Sequence, residues 1–311
     1  MTVVLLCPGQ GAQGVGMGRD LAERFPAARA VFEAVDDALG MALSRLMWEG
    51  PEGDLTLTHN AQPAILTHTL AAFAAVREAV QPVAGAGHSL GEYSAYAVAG
   101  SLEPSDAARL VRRRGELMFE AGQSRAGTMA AVLGLASELV EERCRQASQG
   151  AEVVVAANLN APDQTVISGD PPAVDRAGSM CKAAGAKRVL PLKVSGAFHS
   201  PLMQSAVEGL RAALDDVPFA DPRFPVIANA SAAPVRTAAD GRRLLADQLT
   251  APVRWVDCMR RAAADSSGTT FLEVGPGTVL AGLVKRIVPE ARAVSIGSAA
   301  AAEQFLTGAS G

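Results

Sequence analysis

Apolar residues follow two patterns along this chain. In short runs such as Val3-Val4-Leu5-Leu6-Cys7 they are continuous, as in a strand buried on both faces of a parallel sheet. In longer stretches they return every third or fourth position, as in a helix with one face inward. The first part of the chain therefore reads as a strand over 3–7 and helices over 17–25, 28–39, 43–49 and 62–80. The last of these carries a broad stripe of Ile65, Leu66, Leu70, Phe73 and Val76. A buried strand ends near Ala86, a helix follows over 92–99, and Pro104-Ser105-Asp106 opens another that reaches Met118.

From Ala126 to about Val194 the texture changes. A strand over 128–135, a helix over 137–149, strands over 153–160 and 164–169, a helix over 171–185 and a strand over 187–194 give β-α-β-β-α-β. That is the split βαβ, or ferredoxin-like, pattern. It is self-contained and reads as a small subdomain, residues 126–194, inserted into a large domain of residues 1–125 and 195–311. The remainder alternates again, with a strand over 224–228, helices over 241–248 and 256–264, and a strand over 270–274. A turn at Gly275-Pro276-Gly277, a helix over 278–287 and a last strand over 291–296 follow. From Gly297 the chain is rich in Ala, Ser and Gly and is expected to fray. The expected class is α/β with a parallel sheet core.

Between a predicted strand and a predicted helix stands Gly87-His88-Ser89-Leu90-Gly91, which fits the nucleophile elbow G-x-S-x-G. Glycines flank the serine because a Cβ would clash in so tight a turn. The turn lifts Oγ out of the fold and aims a helix N-terminus at any oxyanion forming beside it. In a chain with 30 glycines the pattern can arise by chance, so the flanks carry the weight.

A nucleophile needs a base, and the chain has four histidines. His59 and His68 lie in or near helices without a metal-ligand partner four residues on, and read as structural. His88 adjoins the serine and points away from it. His199, in Gly196-Ala197-Phe198-His199-Ser200-Pro201, follows a short loop, precedes a helix and comes after the serine in chain order, as in α/β-hydrolases. It is the candidate base.

Arg112, Arg113 and Arg114 point in three directions from one helix, and Arg114, flanked by Leu110 and Leu117, is the one that turns inward. A buried guanidinium needs an anionic partner. On these residues alone, a protein carboxylate and a substrate carboxylate serve equally well. Pro8-Gly9-Gln10-Gly11-Ala12-Gln13-Gly14 is glycine-rich but lacks both the P-loop lysine and a full G-x-G-x-x-G. It reads instead as a loop at the C-terminal edge of the sheet, where Gln10 offers an N–H or an amide to a neighbouring site.

Composition narrows the classes. Of 311 residues, 49% are hydrophobic and 19% charged, with a net charge of −4 and no basic cluster beyond Arg112-Arg113-Arg114 and Arg242-Arg243. No nucleic-acid-binding face is expected. Cys7, Cys144, Cys181 and Cys258 show no C-x-x-C spacing, which argues for a reducing compartment and against disulfides or a metal site. Without a basic leader or an apolar run long enough for a bilayer, the expectation is a soluble cytoplasmic protein without membrane contact.

Taken together, Pro8-Gly9-Gln10-Gly11-Ala12-Gln13, Gly87-His88-Ser89-Leu90-Gly91-Glu92, Arg114-Gly115, Gly196-Ala197-Phe198-His199-Ser200, Gln248-Leu249 and Glu273-Val274-Gly275-Pro276-Gly277 follow one order and spacing. The set resembles the malonyl-CoA:acyl-carrier-protein transacylases of fatty acid and polyketide synthesis, over residues 3 to about 296. The resemblance implies an α/β-hydrolase-like large domain with the ferredoxin-like subdomain inserted. It implies Ser89 as nucleophile, His199 as base oriented by a main-chain carbonyl near Gln248, and the backbone N–H groups of Gln10 and Leu90 as oxyanion hole. It further implies that Arg114 holds the malonyl carboxylate, which decides between its two possible partners. Asn160 would contribute from the small subdomain, and Phe198 would crowd an α-methyl and favour malonyl over methylmalonyl. No bound cofactor or metal is implied. A coenzyme A thioester would be the substrate, the phosphopantetheine thiol of an acyl carrier protein the acceptor, and the enzyme a monomer. A discrete polyketide acyltransferase, a thioester hydrolase acting on carrier proteins and a catalytically dead docking subunit are the alternatives. Cys7 departs from the family, where a bulkier residue is common before the Pro-Gly-Gln, and reads as a packing change.

Overall fold

The structure is a computed structural model and describes residues 1–266 and 268–309. Among the described residues ten strands form two sheets: β1 (Thr2–Cys7), β2 (Gln81–Gly87), β3 (Thr128–Leu133), β4 (Val154–Ala161), β5 (Gln164–Gly169), β6 (Arg188–Pro191), β7 (Val226–Ile227), β8 (Pro234–Val235), β9 (Thr270–Val274) and β10 (Ala293–Ile296). The larger sheet runs β10-β9-β1-β2-β7-β8 and is parallel except for the β7–β8 pair. The smaller runs β4-β5-β3-β6 and is antiparallel throughout. The chain is an α/β fold built on a mostly parallel sheet with helices on both sides.

β1 explains the unbroken apolar run. Val3, Leu5 and Cys7 enter one core cluster, with Leu21, Phe32, Ile65, Tyr93 and Val111 from the helices on that face. Val4 and Leu6 enter another, with Trp255, Met259, Leu283 and Val284 on the opposite face. Because successive strand residues face opposite ways, a strand covered on both sides must be apolar at every position. Cys7 is fully buried and burial pushes its thiol well up, in keeping with a packing role.

The small sheet covers one face with the helices Ser137–Ala147 and Pro171–Ala183 through Val132, Val140, Val174 and Cys181. Its other face meets the large core through Met129, Ala157 and Val166. Backbone bonds also tie the small sheet to the segment leading into the helix Trp255–Asp265: Leu159 N–H donates to the Val253 carbonyl at 2.9 Å, and Val253 N–H to the Ala157 carbonyl at 2.8 Å.

Several expectations need correction. The alanine-rich tail is helical over Ala299–Ala309, buries Ala302 and is capped by Asp20, which accepts the Ala299 N–H at 2.6 Å. Alanine has the highest helix propensity, so a low-complexity appearance was a poor guide there; residues 310–311 of the expected frayed tail lie outside the described residues. β6 is four residues long and ends at Pro191 on the edge of the small sheet, where a proline is tolerated, and Leu192 N–H still donates to the Met129 carbonyl at 2.9 Å. The helix expected from 62 begins at Thr58, and a one-turn helix Glu52–Thr56 precedes it. Arg114 is not alone in leaving solvent: Arg113 is exposed, but Arg112 is half-buried against Asn60 (2.6 Å) and Glu116 (2.9 Å). Among the described residues no helix is long and apolar enough to cross a membrane.

Candidate active site

β1, β2 and β7 are neighbours and parallel, so their C-terminal ends meet at one edge of the large sheet, where α/β folds form their crevices. β2 passes into the helix Gly91–Val98 through His88, Ser89 and Leu90. A Cβ on Gly87 would lie 1.9 Å from the Gly91 carbonyl, and one on Gly91 would lie 2.1 Å from the Cys7 carbonyl oxygen. No side chain fits at either place. Ser89 itself has φ 53°, a left-handed conformation that costs a non-glycine residue about 1–3 kcal/mol and must be held by its surroundings.

Ser89 Oγ lies 2.7 Å from His199 Nε2, and Nδ1 of the same ring lies 2.9 Å from the Gln248 carbonyl oxygen. A carbonyl only accepts, so Nδ1 carries the proton and Nε2 is left to accept from the serine hydroxyl. Burial, and after it the charge of Arg114, push His199 down to about 3. The ring is thus neutral across the physiological range, with Nε2 unprotonated. No aspartate takes the third place of a Ser-His-Asp arrangement; a main-chain carbonyl does.

Arg114 comes from the helix Pro104–Ser124 and is 1% exposed. Its Nη1 donates to Gln62 Oε1 at 2.8 Å, and its Nη2 to Gln248 Oε1 at 2.9 Å and to Ser89 Oγ at 3.2 Å. The guanidinium carbon lies 5.3 Å from the centre of the Tyr93 ring. Every one of these partners is neutral, so the protein-carboxylate partner left open by the sequence is not among them.

Gln10 Nε2 donates to Thr58 Oγ1 at 3.3 Å, and Thr58 Oγ1 lies 3.0 Å from Ser195 Oγ in the segment leading to His199. Among the described residues the backbone N–H groups of Gln10 and Leu90 donate to no acceptor. Asn160, at the end of β4, accepts from His88 Nε2 at 2.8 Å, and the His88 ring packs tilted on Trp255 with centres 5.4 Å apart. Asn160 therefore braces the residue before the serine. Phe198 is 6% exposed and belongs to the large core cluster with Leu117 and Met203. His59 stands edge-on to Phe119, and His68 is buried with Nε2 3.0 Å from the Gly297 carbonyl, so both are structural.

Three residues of the site escaped the sequence. Gln62, at the head of an apolar helix, is fully buried and turned to Arg114. Asn229, two residues beyond β7, accepts the Ser89 N–H at 2.7 Å and donates to the Gly87 carbonyl at 2.7 Å. Glu92, inside the elbow motif, is fully buried beneath the serine. The available signal was a polar residue at the C-terminal end of a strand beside β2, or one on an otherwise apolar helix. By contrast Glu273, in the Glu-Val-Gly-Pro-Gly segment, accepts from Leu280 N–H (3.0 Å), Ala281 N–H (2.9 Å) and Ser295 Oγ (2.9 Å), capping the helix Val279–Ile287. Among the described residues no three His, Cys, Asp or Glu side chains gather as a metal ion would require.

The sequence matches the acyl transferase domain family over residues 4–303. It is 43% identical over 295 residues to the malonyl CoA-acyl carrier protein transacylase of Bacillus subtilis, covering 94% of this chain and 93% of that one. It is 42% identical over 308 residues to the same-named protein of Haemophilus influenzae, covering 97% and 98%. Among solved structures, the malonyl CoA-acyl carrier protein transacylase of Coxiella burnetii superposes with a TM-score of 0.94 at 37% identity, covering 100% of this chain and 97% of that one. A malonyl-transacylase in complex with a type II PKS acyl-carrier protein superposes with a TM-score of 0.94 at 40% identity, covering 99% and 100%. With an elbow serine, a carbonyl-oriented histidine and matches that span nearly its whole length, this chain belongs to the acyl transferase domain family.

Proposed function

We propose that the protein is a malonyl-CoA:acyl-carrier-protein transacylase of fatty acid synthesis, moving malonyl from coenzyme A to a carrier-protein phosphopantetheine thiol through a malonyl-Ser89 ester. The observation that carries this reading is Arg114. A buried guanidinium 3.2 Å from the serine oxygen, with only neutral partners, suits an acyl group that ends in a carboxylate. Such an anchor fixes the acyl group and disfavours acetyl or long-chain groups, which leave it unpaired.

Ser89 Oγ attacks the thioester carbonyl while His199 Nε2 takes its proton. The developing oxyanion falls to the N–H groups of Gln10 and Leu90, whose lack of other acceptors supports that role. As the tetrahedral centre collapses, the C–S bond breaks and the proton passes from His199 to the departing thiolate, leaving the malonyl ester. The carrier-protein thiol then gives its proton to His199, attacks the same carbonyl and expels Ser89 Oγ, which takes that proton back from His199, so the kinetics are ping-pong. Gln248 orients His199 and Arg114, Asn160 braces the elbow through His88, and Phe198 narrows the acyl pocket against an α-methyl. One extra methyl is worth only about 1–3 kcal/mol, so that last preference is modest.

On the same reading, residues 1–125 and 195–311 form an α/β-hydrolase-like domain and residues 126–194 an inserted ferredoxin-like subdomain, which the strand order β4-β5-β3-β6 supports. The protein works as a cytoplasmic monomer with coenzyme A thioester and carrier protein as its two substrates and no resident cofactor. The test is intact-protein mass spectrometry after brief exposure to malonyl-CoA and then to holo acyl carrier protein, with Ser89→Ala as control. A malonyl adduct absent from the variant and passed to the carrier is the expected result. Loss of the adduct to water at the same rate with or without carrier would make the protein a hydrolase instead.

A further inference from the structure

Beneath Ser89 lies a buried polar cluster in which acyl transfer as described leaves Glu92 and Asn229 without a task. Glu92 Oε2 accepts two hydrogen bonds, from the Asn229 backbone N–H at 2.9 Å and from Gln248 Nε2 at 2.7 Å. Gln248 Nε2 also donates to the Ser89 carbonyl at 3.0 Å, its Oε1 receives Arg114, and its main-chain carbonyl holds His199. The Asn229 side chain, for its part, grips the Ser89 N–H and the Gly87 carbonyl. Both backbone polar groups of the strained serine are thus fixed by side-chain amides, and both amide-bearing residues are anchored on one carboxylate oxygen. Arg114 on one side and Glu92 on the other allow the Gln248 amide a single orientation, oxygen to the cation and nitrogen to the anion.

Building on the transacylase reading, we propose that Glu92 is a positioning residue for acyl transfer: one oxygen of its carboxylate, acting through Asn229 and Gln248, holds Ser89, His199 and Arg114 in a single arrangement. Glu92 touches no reacting atom. An apolar side chain of similar volume would fill its place without the cost of desolvating a carboxylate. That cost is visible in its acidity, which burial raises to about 7 against the opposing effect of Asn229, Gln248 and Arg114. What the carboxylate contributes in return is orientation.

The experiment is single-turnover acylation of Ser89 across malonyl-CoA concentrations, read by intact mass, beside labelling with a fluorophosphonate. The probe needs Ser89 and His199 but no acyl carboxylate. Glu92→Ala should lower the maximal rate of both reactions about a hundredfold, the loss expected for a misplacement near 1 Å. Half-saturating malonyl-CoA should stay within about threefold of wild type, because Gln62 still holds Arg114 at Nη1 and the orienting role spends itself mainly on rate. Glu92→Gln, whose amide oxygen can take both donors, should return to within about tenfold of wild type. Asn229→Ser breaks the link from the other end, should slow both reactions as Glu92→Ala does, and carries the test if Glu92→Ala does not fold. Wild-type rates in Glu92→Ala, a Gln variant no faster than the Ala variant, or equal losses of rate and affinity would each overturn the assignment. Wild-type protein that takes the fluorophosphonate but no malonyl group would sink the transacylase reading, and the probe rates would still decide the role of Glu92.

Discussion

The two sheets of this protein are built for different work. In the large sheet parallel strands end side by side, so a turn after β2, a residue after β7 and loops from distant helices converge on one edge. In the small sheet every neighbour is antiparallel and its strand ends alternate between edges, so nothing converges. Among the described residues its one side-chain hydrogen bond to the elbow is that between Asn160 and His88. All four histidines lie outside it. A parallel sheet gathers chemistry; the antiparallel one supplies a wall. Four tests probe that contrast, and they differ widely in expected size.

Gly87→Ala should be the most damaging. Its Cβ would lie 1.9 Å from backbone atoms that cannot swing aside, so the loss should exceed the ~3 kcal/mol typical of an overpacked core, and Ser89 acylation should vanish. Gly178→Ala, in a helix of the small sheet, meets only a Val189 methyl at 3.1 Å and should change stability by no more than about 1 kcal/mol. Thermal unfolding and acylation of the pair would break the comparison if the two behaved alike.

Arg114→Ala comes next. Removing a buried charge partner costs about 2–5 kcal/mol, roughly thirtyfold to several thousandfold in kcat/KM for malonyl-CoA. Acetyl-CoA, which has no carboxylate to lose, should be affected far less, so the ratio of the two kcat/KM values should fall. Unchanged malonyl preference would remove Arg114 as the anchor.

How much of this was legible beforehand follows from how local each signal is. The helix Leu43–Glu49 and strands Gln164–Gly169 and Thr270–Val274 match the apolar periodicity residue for residue. The serine, histidine and arginine were readable from a motif, a chain order and a helix flank. Asn229 was not, because it meets Ser89 across 140 residues of chain and nothing near either residue announces the pairing. Gln62 sits on a helix whose pattern says only that it is buried, and no pattern names the cation waiting there. The tail misled because its composition suggested disorder, whereas the Asp20 cap that secures it lies 279 residues away.

The third test uses acid. His68 is buried in the large region and held neutral, its pKa lowered from 6.5 to about 4 chiefly by burial. A lowered histidine adds stability that is present above the unfolded value of 6.5 and is lost as pH falls through about 4. His68→Gln keeps a donor for the Gly297 carbonyl and removes the titration. Relative to wild type, the variant should therefore gain up to about 3 kcal/mol between the two values, at 1.36 kcal/mol per unit. Urea unfolding at several pH values would show it, and a constant difference between the two proteins would contradict it.

The smallest effect should come from the small sheet's contact with the elbow. Asn160→Ala removes the acceptor of His88 Nε2, a neutral bond of 2.8 Å at a partly buried position. Leaving such a donor unpaired costs about 1–3 kcal/mol where water is excluded, and less where water can reach it. His88 keeps its packing on Trp255 and Ser89 keeps Asn229, so the elbow should shift little. Acylation by malonyl-CoA should slow about tenfold or less, with the malonyl-to-acetyl preference intact, because Arg114 is untouched. A loss as deep as that of Arg114→Ala, or a change in preference, would mean that the small sheet reaches into the chemistry after all, through His88 rather than through any contact with the acyl group.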